Sequence, residues 1–212
     1  HWDVDGSTVS GNPITVTMDA PHTATAHYVK QYYLTVSSTY DTPGGADWYD
    51  EKTNAYATLA TGTVSGGAGT QYVFTGWSGD ASGTGLTSNA IYMDGPKTAT
   101  ANWKTQYYLT VKTNPLGIAA ISGEGWYDEN TPVTLTAPSL VSVSPGVRYR
   151  FDHWDVDGTS QGAGINPITV TMNGPRTATA HYVKQYYLTV QTNPVSIATI
   201  PGEGWYDQST PV

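Results

Sequence analysis

The chain has no cysteine, so no disulfide braces it and thiol chemistry gives no clue to its compartment. It is also poor in charge. Nine Lys and Arg face 17 Asp and Glu across 212 residues, a formal net charge of −8. That acidic balance, without any basic cluster, argues against nucleic acid or an anionic membrane surface as a partner. No apolar run approaches the length of a membrane span, and the first residues do not read as a signal peptide. Gly-x-Ser-x-Gly, a cysteine nucleophile and a phosphate-binding loop are all missing. Carboxylates fall in turns rather than as a recurring pair in a cleft. The expectation is a protein with no enzymatic activity and no cofactor. Asn-x-Ser/Thr is absent too, so N-glycans are not expected on this stretch. Nowhere does an apolar period of 3.6 persist for ten residues, which excludes an ordinary amphipathic helix.

What the chain does have is self-similarity. Residues 23–36 return unchanged at 177–190, and a variant form occupies 98–111. The spacings of 75 and 79 residues mark a tandem array. Repeats of this size bury limited apolar area and gain from their neighbours. The expected organisation is a closing part of one repeat at 1–30, full repeats at 31–105 and 106–184, and the opening part of another at 185–212. Residues 1–6 match 153–158, so the segment is expected to be completed at both ends by further repeats or by another copy.

Thr, Val and aromatics dominate the repeated segment, which suits a pleated surface. It contains no Gly or Pro. The closing strand of one repeat (177–183) therefore meets the opening strand of the next (186–190) with almost no linker. The junction residues are Tyr28, Lys30, Tyr32, Trp103, Tyr107, Tyr182, Lys184 and Tyr186. Further strands are expected at 12–18, 55–60, 71–77 and 132–137, with a hairpin formed by 89–93 and 97–103. Trp154 lies three residues beyond Phe151, which breaks the period of two: either a β-bulge sits between them, the favoured reading, or the Trp packs on the other face. The fold class is all-β: a tandem array of small antiparallel domains of about five strands each, sandwich-like or β-grasp-like, set end to end.

Two motifs carry candidate chemistry. Asp155-Val156-Asp157-Gly158, echoed at Asp3 to Gly6, resembles the start of a calcium loop. The twelfth-position carboxylate is lacking, since Asn166 and Ile14 stand there. Asp-Gly between strands is also a hairpin turn. The turn is the favoured reading, leaving Asp3, Asp5, Asp155 and Asp157 as weak metal candidates. Trp48, Trp126 and Trp205, each followed by Tyr-Asp, are either core plugs or sugar-stacking platforms. The core reading is favoured, and Trp126 is expected to be buried. His27 and His181 are expected to face solvent.

The order of pieces resembles divergent internalin-type B repeats of prokaryotic surface proteins. The matching residues are 187–190 (Tyr-Leu-Thr-Val), 123–127 (Gly-Glu-Gly-Trp-Tyr), 131–137, 151–158, 166–172 and 177–182. Repeat 31–105 departs most, at 55–59 and at Gly79-Asp80. The resemblance implies a β-grasp, usually with a short helix that this sequence does not signal. It also implies an extracellular, cell-surface role in stalks, adhesins or surface fibres, usually without catalysis. The function expected is a rigid stalk, surface fibre or filament associating end to end with further repeats. The alternative is a carbohydrate- or matrix-binding adhesin module that takes glycans or surface polymers on its Trp and Tyr.

Overall fold

A computed structural model describes all residues, 1–212. It is built of strands, turns and bends, with no helix. The chain divides into two compact units: His1–Gly62 with Phe74–Trp103, and Thr63–Val73 with Lys104–Val212. The short segment 63–73 therefore sides with the repeat that follows it.

The second unit shows the complete repeat. Its core joins Leu109, Val133, Leu135, Phe151, Trp154, Ile168, Val170 and Met172 to Ala178, Ala180 and Tyr182. The Thr-Ala-Thr-Ala sequence explains the packing, because a strand alternates its faces and puts every Ala inward. Ala180 lies directly across from Trp154. The small residue leaves room for the indole, which is fully buried. An indole N–H inside a core needs an acceptor. Trp154 Nε1 donates to Asn166 Oδ1 at 3.3 Å. The Asn166 amide also bonds the Ala137 carbonyl at 2.7 Å and its N–H at 3.0 Å, standing in for a missing strand rung.

The bulge expected before Trp154 is present. The register between Val147–Val156 and Arg176–Leu188 slips at Asp152, between Phe151 and His153. The slip brings Phe151 and Trp154 into one core. Asp157 and Gly158, with φ of 51° and 82°, form the turn that follows.

Pairing is not antiparallel throughout, as the sequence had suggested. Residues 109–114, which open the repeat, run parallel to 176–181, which close it. The first unit repeats this arrangement, with residues 34–38 parallel to 97–101. Nor do 89–93 and 97–103 form a hairpin. Ile91–Tyr92 pairs with Asn54–Ala55, whereas Lys97 to Ala101 pairs with the opening strand. Hydrophobic alternation marks which residues point inward, but it does not name the partner strand.

The first unit packs Leu34, Ala55, Ala57, Leu59, Trp77, Ile91, Met93, Ala99 and Ala101. Its 55–60 stretch is only Asn54–Ala55 plus bridges at Thr58. Residues 1–30 contribute a three-stranded sheet of Trp2–Val4, Ser7–Val9 and Ala24–Ala26. The strand expected at 12–18 does not form, and Met18 is 74% exposed. Its equivalent, Ile168–Thr171, pairs with Pro132–Leu135, and residues 1–30 contain no counterpart of that partner. A strand without a ladder leaves its backbone to water.

Trp154→Ala should cost about 3–5 kcal/mol, as expected for emptying a packed aromatic site. Trp126→Ala should cost at most about 1 kcal/mol, in line with surface positions. Hydrogen exchange of the 147–156 and 176–182 amides would separate the two variants.

Candidate functional site

Each repeat opens on the same small assembly. Gln31, Gln106 and Gln185 sit across from Asp50, Asp128 and Asp207. The three amides donate to the three carboxylates at 2.8, 2.7 and 2.8 Å. Two residues further along the opening strand, Tyr33, Tyr108 and Tyr187 meet Trp48, Trp126 and Trp205 edge-on, with ring centroids 5.4, 5.3 and 5.3 Å apart. The Tyr after each Trp turns inward instead. Tyr127 donates its hydroxyl to the Gly123 carbonyl at 2.9 Å, and Tyr49 does the same to Gly45. Gly123 sits at φ 115°, where a side chain is strained, and a Cβ there would lie 2.4 Å from Leu135 Cδ2. Trp126 is thus 40% exposed and Trp48 60% exposed, which corrects the expectation of burial. In a Trp-Tyr pair only one ring can face the core, and here it is the tyrosine.

This opening assembly receives a hairpin from the preceding repeat. Leu140–Ser144 and Val147–Val156 form that hairpin. Its second strand continues along Arg176–Leu188, past the closing residues and onto Gln185 and Tyr186. The Gly146 carbonyl accepts the Tyr187 N–H at 3.0 Å. Arg148 donates through Nε to Gln185 at 2.7 Å, and its guanidinium lies 4.1 Å over the Trp205 ring. Arg150 reaches Asp207 at 3.0 Å. The 63–73 hairpin repeats the scheme one repeat earlier: Gly69 accepts from Tyr108 N–H at 2.9 Å, and Gln71 donates to Gln106 at 2.8 Å. There the cation comes from the closing strand, with Lys104 2.9 Å from Asp128.

The junction residues expected from sequence divide between this assembly and its flanks. Tyr182 is buried, its hydroxyl on the Pro138 carbonyl at 2.9 Å. Lys184 lies over Tyr186, and Lys30 over Tyr32. Tyr32 and Tyr107 donate to Glu51 and Glu129. Trp103 packs on Phe74 and donates to Ser38. Tyr28 is almost wholly exposed. Sequence reading missed Arg148, Arg150 and the three Gln–Asp pairs. The recurrence of Gln before Tyr-Tyr-Leu-Thr-Val and of Asp after Trp-Tyr was the available signal.

The turn carboxylates are committed to protein donors. Asp157 accepts the Thr177 N–H at 2.8 Å and pairs with Arg176 at 2.7 Å. Asp5 accepts the Thr23 N–H and pairs with His22 at 2.6 Å, which holds its carboxyl below the ordinary value and raises that of His22. Asp80 likewise accepts the Thr98 N–H, with Lys97 3.7 Å away. Asp3 accepts the Gly6 N–H. Asp155 sits in the ladder opposite Ser160 and Thr179. No group of three or more His, Asp or Glu converges in a manner suited to a metal. The two histidines expected to face solvent are each stacked on a cross-strand histidine: His181 on His153 with centroids 4.6 Å apart, and His27 on His1 at 4.7 Å.

A family model described as the divergent InlB B-repeat domain matches the chain twice, over residues 35–106 and 109–186. No curated protein and no solved structure matches it.

The Lys104 and Gln106 donors hold the Asp128 carboxyl below its ordinary value, and Gln185 and Arg150 do so for Asp207. A depressed carboxyl contributes stability above its unfolded value of about 4, and loses it as pH falls through the folded value. Carboxyl NMR titration should place both midpoints low. Arg150→Met should raise that of Asp207 and leave that of Asp128. In a separate measurement, EDTA should leave the melting temperature unchanged, whereas Asp157→Ala should lower it.

Proposed function

The chain belongs to the divergent InlB B-repeat family, and from that premise we propose that it is a non-enzymatic extracellular repeat module that builds a rigid stalk, surface fibre or filament. The family points to a surface-associated repeat. The observation that carries the finer reading is the strand Arg176–Leu188, which closes one repeat and opens the next without a Gly or Pro. It pairs with Val147–Val156 on both sides of the boundary, from Ala178 to Tyr186. Flexible linkers rich in Gly and Ser behave otherwise. The weight is in the backbone ladder rather than in charge. Arg150 and Asp207 are each a little over a third exposed, and such pairs contribute about 1 kcal/mol or less.

A second reading, a glycan-binding adhesin module, is favoured by the exposure of Trp48 and Trp126, each set against a tyrosine as an aromatic corner. Aromatic faces of this kind stack on apolar sugar surfaces.

Small-angle scattering of the full chain separates a stalk from a loose string. A narrow distribution of lengths is expected, broadening when Gly-Gly is inserted after Lys184. A broad ensemble in the unmodified chain would sink the stalk. On a glycan array, saturable binding lost in the Trp48→Ala, Trp126→Ala double variant would favour the adhesin instead.

A further inference from the structure

The two occupied junctions carry the same charge from opposite strands. Where residues 63–73 supply the hairpin, the hairpin position is Val73 and the closing-strand position is Lys104, which meets Asp128. Where Leu140–Ser144 and Val147–Val156 supply it, the hairpin position is Arg150 and the closing-strand position facing it is Val183. Arg150 then meets Asp207. Each aspartate receives one cation, and each junction has Val where the other has the charge. A mismatched pair would bring either two cations or none to a half-buried carboxylate.

The opening face of repeat 31–105 presents the same elements: Gln31 on Asp50 and Tyr33 against Trp48. Its closing-strand position is Val29. Lys30 lies over Tyr32 and 3.9 Å from Glu51, so no cation within 4.0 Å meets Asp50. Asp47, Asp50 and Glu51 make the face acidic, and Trp48 is the most exposed of the three aromatic corners.

We propose that the face formed by Val29, Gln31, Tyr33, Trp48 and Asp50 is a docking surface for an arginine hairpin of the 140–152 type, carried by a repeat in tandem, and that it discriminates against the 63–73 type. The hairpin's glycine carbonyl takes the Tyr33 N–H. Its first arginine bonds Gln31 and covers Trp48, as Arg148 covers Trp205. Its second arginine neutralises Asp50, as Arg150 does Asp207. The surface therefore encodes which repeat type can precede which. The inference rests on the stalk reading only in taking the partner to be another repeat; scattering of the unextended chain tests that reading on its own.

The experiment joins a second copy of residues 106–152 ahead of His1 of the full chain, where 1–6 continue the 153–158 sequence. The readout is broadening of the Trp48 indole N–H signal by a soluble paramagnetic agent. In the extended chain Trp48 should become as protected as Trp205. Replacing the added copy of Arg150 by Val should reduce that protection, and Val29→Lys in that variant should restore it. Equal docking by the Val variant would overturn the discrimination. Trp48 as accessible in the extended chain as in the original, whether the added segment folds or not, would overturn the proposal altogether.

Discussion

The structure depends on one constraint: backbone hydrogen bonding continues without interruption through the boundary between repeats. Buried N–H and carbonyl groups must be paired. A strand that closes one repeat and opens the next meets that demand with a single ladder. Once Arg176–Leu188 is held along its length by Val147–Val156, the faces of its side chains follow. Ala178, Ala180 and Tyr182 face the core. Gln185 and Tyr187 present the corner on which the preceding hairpin sits.

Size and charge are then distributed within that frame. A repeat this small has room for few large aliphatic residues, and alanines opposite a single tryptophan fill it with one large ring. Charge contributes selection more than stability. The Arg150–Asp207 and Lys104–Asp128 pairs contribute about 1 kcal/mol or less each, so a carboxylate left without its cation, or crowded by two, biases the choice of neighbour by a few-fold.

Much of this was legible in the residues. The repeat period, the all-β class, the Asp157-Gly158 turn and the bulge before Trp154 all follow from local pattern, because each is decided within a few residues. The choice between Trp126 and Tyr127 was not legible. Adjacent positions on a strand face opposite ways, and composition does not say which face is inside. The parallel pairing of 109–114 with 176–181 was hidden as well, since it joins residues far apart in sequence. Arg148 carries no motif that would single it out in the sequence. Its role appears only when the hairpin is laid across Gln185 and Trp205. The strand expected at 12–18 shows the reverse limit: alternation marks a capacity to pair, and without a partner the capacity goes unused.

The parallel pairing has a consequence for force. The chain enters a repeat through its opening strand and leaves through its closing strand, and these two lie side by side running in the same direction. Tension along the polypeptide pulls the start of one strand and the end of the other in opposite senses. The hydrogen bonds between them are then loaded together, in shear, rather than peeled one after another. A repeat wired in this way resists extension through the strands that connect it to its neighbours, and its core is reached only after that clamp gives way.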